Sequence, residues 1–274
     1  MIVRPVAKIN LGLNVVERRP DGYHNLETVF YPVPLCDTLE VEVGGKSDDG
    51  CTLTLGGVPV EGDPRRNLVV RAYDLLHHDF PQMGSVRANL FKQIPTQAGM
   101  GGGSSDCAAM LVVLNRLFEL HLTEEQLIGY AARLGADCPF FIVGQPAYAE
   151  GIGERLQPID LDLSSYWIAI VRPDIPVPTK EAFSLITPQR PAKNCRIIVS
   201  QPVDTWRNEL LNDFEYSVFA LHPEIGALKE RLYDLGADYA AMSGSGSAVF
   251  GLFRGEPAIA HSFGDAFTRV LPLA

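Results

Sequence analysis

The chain has 274 residues, of which 46% are hydrophobic and 20% charged, an ordinary globular balance with enough length for a large core. Its formal net charge of -10 argues against non-specific binding to nucleic acid or to an anionic membrane, so an anionic ligand must be held by a local device. The five cysteines are odd in number and form no CxxC pair, which reads as reduced thiols in a cytoplasmic protein without a zinc site.

The first predicted element is a strand over "VAKINLGLNVV", residues 6–16, whose apolar residues partly alternate. Lys8 and Asn10 interrupt it and no small-residue cleavage site follows, so this start is not read as a signal peptide. No apolar run is long enough to span a bilayer. "ERRPDGYHNLET" reads as a polar, turn-rich connection punctuated by Pro20, Asp21 and Gly22. "TLEVEV" and "CTLTLGG" alternate as strands. Residues 67–79 carry apolar residues at helical spacing behind Asn67, a plausible N-cap. "SVRANLFKQI" is strand-like and leads to Pro95. A glycine-rich loop follows, and then a helix over "SDCAAMLVVLNRLFEL". "TEEQLIGYAARLG" is a capped helix with acids in its first turn and Gly135 at its end. In the second half "YWIAIVRP" is a buried strand and "EIGALKERLYDLGA" an amphipathic helix. "YAAMSGSGSAVFGLF" sets a Gly/Ser turn between two apolar runs. There is no internal repeat and no low-complexity segment. Strands and helices alternate irregularly, which predicts an α+β fold with mixed sheets. The Gly/Glu-rich connection after "YAEGIGE" predicts a boundary between domains 1–155 and 156–274.

The stretch "GMGGGSSDCAAML", residues 99–111, concentrates glycine where a strand hands over to a helix. Ordering glycine costs backbone entropy, and one or two would suffice for a tight turn. Four glycines followed by Ser104 and Ser105 suit a different task. Without Cβ atoms, anionic oxygens can reach the free N–H groups of the first helical turn, where the helix dipole favours negative charge. The loop has no lysine, so it is not a Walker loop. The "GKS" at Gly45–Ser47 lacks a glycine five residues ahead of it. Ser104 stands where a dinucleotide GxGxxG would place its third glycine.

"IPTQAGMGGGSSDCAAML" resembles the phosphate loop of the GHMP kinase superfamily, and "MSGSGSAVFGLF" resembles that superfamily's third motif. "AKINLGLNVVERRPDGYHNLETVF", "GADCPFF" and "AYAEGIGE" are similar to the branch that phosphorylates a cytidine diphosphate derivative. The matches run in order from residue 6 to about residue 253. The resemblance implies a two-lobed α+β fold with its site in the cleft between the lobes. The first lobe would be like ribosomal protein S5 domain 2, and the second ferredoxin-like, its last residues returning to the first. It implies transfer of the γ-phosphoryl of ATP, with Mg²⁺, to the 2-hydroxyl of a diphosphocytidyl methylerythritol on the non-mevalonate isoprenoid route. Composition and motifs leave the protein ligands of Mg²⁺ and the oligomeric state open.

Read alone, Asp137 is a turn or capping carboxylate and Lys8 a lysine that snorkels or seeks a partner. The resemblance implies that Asp137 is the general base and Lys8 the cation that keeps it ionised. It places ATP on Asn67, Pro95, Gly99, Gly101, Gly102, Gly103, Ser104 and Ser105. Asn10, two residues after Lys8 on the same strand face, would support the acceptor. Tyr23 would stack on the cytosine, His24 would read its edge and Phe183 would cover its other face. Ser243 and Gly244 would close on the acceptor arm. Lys180 stands where that branch more often has proline, and Met100 where the loop usually has leucine. The rival readings are a homoserine or mevalonate-derivative kinase on the same scaffold, and a non-catalytic sensor. "RRPDGYHNLET" argues against the first, and retention of Lys8 with Asp137 against the second.

Overall fold

The computed structural model describes residues 1–45, 49–259 and 261–273. Lys46 and Ser47 of the "GKS" stretch lie outside the described residues. Packing divides the chain into two compact units. The first gathers Met1–Ala7, Leu35–Thr96 and Gly101–Gln145, the second Lys8–Pro34, Gln97–Met100 and Pro146–Ala274. Both units are discontinuous in sequence, unlike the single cut near residue 155 read from composition. A change in composition marks where a connection is polar, not which strands share a sheet.

The first unit is built on one four-stranded sheet. Its strands are β1 (Ile2–Val3), β4 (Thr38–Val43), β5 (Cys51–Gly57) and β6 (Val86–Lys92), in the order β1-β4-β6-β5. β4 and β6 are antiparallel and β5 and β6 parallel, so the sheet is mixed, as expected. Burial along β6 alternates strictly: Val86, Ala88, Leu90 and Lys92 face inward. Four helices belong to this unit: α1 (Leu68–Asp79), α2 (Gly102–Leu117), α3 (Glu124–Leu134) and α4 (Cys138–Val143). Leu39 and Val41 of β4 pack with Val69, Tyr73 and Leu76 of α1 and Met110 and Leu114 of α2 in one apolar core. Asn67 caps α1 as predicted, its Oδ1 accepting from Val69 N–H at 2.9 Å. Thr123 and Gln126 form a capping box at α3.

The second unit holds two four-stranded sheets. One is β2 (Val6–Arg18), β3 (His24–Cys36), β7 (Ala147–Gly151) and β8 (Arg155–Pro158), in that order. The other has the order β10-β11-β9-β12, from β9 (Trp167–Arg172), β10 (Tyr239–Met242), β11 (Val249–Phe253) and β12 (Phe267–Pro272). Helices α7 (Phe214–Leu221) and α8 (Pro223–Asp234) bury Val218, Ile225 and Leu232 with Ala169, Ala240 and Val249. Two shorter α-helices, α5 (Thr179–Ala182) and α6 (Cys195–Ile198), also belong to this unit.

Several expectations are corrected. Residues 24–28 are not loop: β3 begins at His24, and Leu26 to Thr28 pair with Gly151 to Ala149 of β7. Pairing supplied by a distant strand overrides the local polarity of "HNLET". β12 completes the second sheet, Phe267 to Pro272 pairing with Arg172 to Trp167 of β9. α2 starts at Gly102, three residues earlier than predicted, because Gly101 takes the left-handed conformation at φ 68° and so turns the chain into the helix.

Candidate active site

In the first unit Gly101 to Ser104, the later part of the phosphate-loop candidate, form the mouth of α2. Ser105 N–H bonds to Gly101 O at 2.9 Å, so the N–H groups of Gly102, Gly103 and Ser104 precede the first intrahelical bond. Gly102 is buried, and a Cβ there would lie 2.9 Å from Ile94 Cγ2, so its glycine serves packing. Gly103 differs. It is exposed, it has ordinary helical backbone, and a Cβ would meet only Leu68 Cδ1 at 4.0 Å. Nothing inside the unit requires glycine at that position. Pro95 is buried and follows β6.

Beneath this mouth lies a buried ionic cluster that sequence reading did not single out. Lys92 Nζ donates to Asp37 Oδ2 and to Asp106 Oδ2, the latter at 2.6 Å. Asp37 Oδ1 also accepts from the N–H groups of Gln93 and Ile94. The strict alternation of β6 was the available signal for Lys92, since it assigns that lysine to the inward face. Asp137 occupies the N-cap position of α4, is half-buried, and makes no capping hydrogen bond with its side chain. It has the capping place without the capping bond. The neighbouring Cys138 thiol is pulled below its usual range, mainly by a hydrogen bond from Cys107, against the upward push of burial.

In the second unit Lys8 is 3% exposed and does not snorkel. Its Nζ donates to Asn10 Oδ1 at 2.7 Å and to Gly99 O at 3.0 Å, and lies 4.9 Å from the centre of the Phe30 ring. Asn10 Nδ2 donates to Thr28 Oγ1 at 2.9 Å, and the Thr28 hydroxyl to Gly12 O at 2.5 Å. Asn10 N–H donates to Ser243 Oγ at 3.3 Å, and Ser243 Oγ–H to Gly99 O at 2.9 Å. Lys8, Asn10, Ser243 and the first loop glycine therefore form one buried network, closed by Thr28. Gly244 stands against it: its φ is 54°, and a Cβ would lie 3.2 Å from Gly99 Cα. Asn212, also missed from sequence, fixes the Gly/Ser turn by donating Nδ2 to Met242 O at 2.8 Å and to Gly244 O at 2.9 Å. Glu215 accepts from Met242 N–H at 2.8 Å and from Lys229 Nζ at 2.6 Å.

The predicted base-recognition residues stand at the β2–β3 turn. Arg19 N–H bonds to Tyr23 O at 2.8 Å and Tyr23 N–H to Asp21 Oδ1 at 3.1 Å, which leaves Tyr23 61% exposed. The rings of His24 and Phe183 stack with centroids 4.6 Å apart, and Phe183 meets Phe214 edge-on at 4.7 Å. No base fits between rings so spaced; a base would take an open face beside Tyr23. Partial burial, then the Arg18 charge, hold His24 below its ordinary range, so its imidazole is neutral at pH 7 and offers one donor and one acceptor.

Two family models match the chain, GHMP kinases N terminal domain over residues 67–145 and GHMP kinases C terminal over residues 203–267. A 4-diphosphocytidyl-2-C-methyl-D-erythritol kinase of Bacteroides fragilis is 53% identical over 259 residues, 94% of either chain. The chain is a member of the GHMP kinases, in the 4-diphosphocytidyl-2-C-methyl-D-erythritol kinase family. A crystal structure of a 4-(cytidine 5'-diphospho)-2C-methyl-D-erythritol kinase has 36% identity and a TM-score of 0.84 over 99% of either chain. Mevalonate kinase of Methanococcus jannaschii has 12% identity and a TM-score of 0.68, which shows a shared fold. As a GHMP kinase the chain is an ATP-dependent small-molecule kinase. Among the described residues of this kinase no helix is long and apolar enough to cross a membrane. No group of three or more His, Cys, Asp or Glu side chains among them could hold a metal ion.

Proposed function

We infer that this GHMP kinase transfers the γ-phosphoryl group of ATP to the 2-hydroxyl of 4-diphosphocytidyl-2-C-methyl-D-erythritol, a step on the non-mevalonate route to isoprenoid precursors. The observation that carries the activity is 53% identity across 94% of the chain to a kinase of that name. Homoserine and mevalonate kinases resemble the chain at 16% and 12% identity, a likeness of fold that says nothing of their substrates here.

The residue roles follow from the site chemistry. Asp137, half-buried at the head of α4, takes the proton of the attacking hydroxyl as general base. Lys8, desolvated among Asn10, Gly99 and Phe30, places a positive charge where burial strengthens its field. It stabilises negative charge on the transferred group. Asn10 and Ser243 hold Lys8 and the first loop glycine in register and face the acceptor, with Gly244 beside them. The N–H groups from Gly101 to Ser104, with the hydroxyls of Ser104 and Ser105, cradle the phosphates; Gly99 and Pro95 set the approach of that loop. Asn67, at the head of α1, borders the adenine. ATP enters as its magnesium complex, in which the ion neutralises phosphate charge. Mg²⁺ keeps several waters and needs only one or two protein oxygens. Tyr23 stacks on the cytosine, and the neutral His24, backed by the stacked Phe183 ring, reads the base edge. The five free thiols suit a reducing cytoplasm.

Coupled ADP release with the cytidine diphosphate acceptor, homoserine and mevalonate in parallel tests the assignment. Turnover with the cytidine compound alone is the expected result. Faster turnover with either of the others overturns it.

A further inference from the structure

The cluster of Lys92, Asp37 and Asp106 sits under the first turn of α2 and has no counterpart in the roles just assigned. All three side chains are at most 3% exposed. One ammonium serves two carboxyl groups, so the cluster carries a surplus negative charge whenever both are ionised. The two carboxyl groups are not equivalent. Asp37 uses both oxygens, on Lys92, Gln93 N–H and Ile94 N–H. Asp106 uses only Oδ2, on Lys92; its Oδ1 is buried without a hydrogen-bond partner. The carboxyl with an unsatisfied oxygen, and hence the one that takes up a proton, is Asp106, and the Asp37 carboxyl within hydrogen-bond reach favours its protonated form. A buried carboxylate oxygen with no donor is costly, whereas the protonated form is neutral.

The position matters because Asp106 lies one helical turn after Gly102, and a Cβ on Gly102 would be 3.3 Å from Lys92 Nζ. We propose that Asp106 is a proton-linked positioning residue of the phosphate loop: nucleotide binding at the mouth of α2 takes up a proton on Asp106. This rests on the reading of that loop as the ATP phosphate site. Phosphate at the N–H groups of Gly102 to Ser104 brings negative charge within a turn of a cluster already negative. Protonation of Asp106 removes the repulsion and leaves a neutral Lys92–Asp37 pair between β6 and the β3–β4 connection, while Lys92 still donates to the Asp106 carboxyl and so ties β6 to α2.

The other groups around Asp106 do not replace it in this role. α1 contributes Arg71, and α2 and α4 contribute the Cys107 and Cys138 thiols; Asp137 precedes α4. α3 turns Leu127 and Ala131 inward, and β4 turns Leu39 and Val41. Burial, opposed by Lys92 and reinforced by Asp37, pushes the Asp106 carboxyl up to about 7. If bound phosphate raises it by about one further unit, roughly half a proton is taken up at pH 7.5 by linkage. Affinity for ATP then weakens as pH rises through this range, by up to about tenfold between pH 6 and pH 9.

Titration calorimetry of ATP with magnesium into the full chain, in two buffers of different ionisation enthalpy at pH 7.5, counts the protons. Asp106→Asn keeps an acceptor for Lys92 and cannot titrate, and the ionisation of ATP itself cancels between variant and wild type. The expected result is about half a proton more in the wild type, with the steeper pH dependence of Kd confined to it. Equal proton counts in folded protein, with ATP bound by both, overturn this proposal alone. Failure of the folded wild type to bind ATP overturns the loop reading and this proposal with it. An infrared difference spectrum of the wild type at pH 7.5 needs no variant. ATP should bring up the band of a buried protonated carboxyl, and absence of that band overturns the proposal even if Asp106→Asn does not fold.

Discussion

Replacing Gly103 with alanine should make the protein more stable and a worse kinase. Gly103 is the second residue of α2, exposed, with backbone that any residue adopts, and a Cβ there meets nothing nearer than Leu68 Cδ1 at 4.0 Å. Alanine lowers the backbone entropy lost on folding, a gain of about 0.5–1 kcal/mol. At this size that raises Tm by about 1–4 °C. The same Cβ stands in the path of oxygens approaching the N–H groups of the first turn. Losing one charge-assisted hydrogen bond there costs about 1.5–3 kcal/mol, roughly tenfold to a hundredfold in Kd for ATP. Gly129→Ala is the control: it lies in α3, and a Cβ there meets nothing within 4 Å, so it should stabilise without touching ATP affinity. Differential scanning calorimetry and ATP titration of both variants read the two quantities. Unchanged ATP affinity in Gly103→Ala would mean that phosphate does not approach this turn.

Gly99→Ala should behave in the opposite way. Its φ is 74° and its Cβ would lie 1.9 Å from Ser243 O; the left-handed strain and the loss of two hydrogen bonds to Gly99 O predict about 3–5 kcal/mol of destabilisation in urea melts. Asp137→Asn should lower kcat by roughly 10²- to 10⁴-fold while leaving the Kd for ATP in place; near-normal turnover removes Asp137 from the mechanism. Tyr23→Ala should weaken every nucleotide acceptor by about 1–3 kcal/mol. His24→Ala should instead erode the preference for cytidine over uridine, and calorimetry that finds ATP affinity lost in both variants would reverse the two nucleotide sites.

How much of this was legible in the chain varies with the range of the interaction. The cap at Asn67 and the capping box of α3 are decided by bonds within a few residues, and the sequence determined them. The inward face of β6 likewise follows from its alternation, Lys92 included. The order of the motifs sufficed to place the chain among the GHMP kinases. Tertiary structure alone decided the rest. That His24 begins a strand depends on β7, more than a hundred residues away. That Lys8 is held rather than snorkelling depends on Gly99 O, 91 residues distant. Asn212 looks like any polar loop residue until Met242 O and Gly244 O arrive to accept its protons. Asp37 and Asp106 acquire their significance only when β6 brings one lysine between them. Local propensity and spacing are properties of neighbours along the chain, whereas the value of a buried charge depends on which groups folding brings within a hydrogen bond of it.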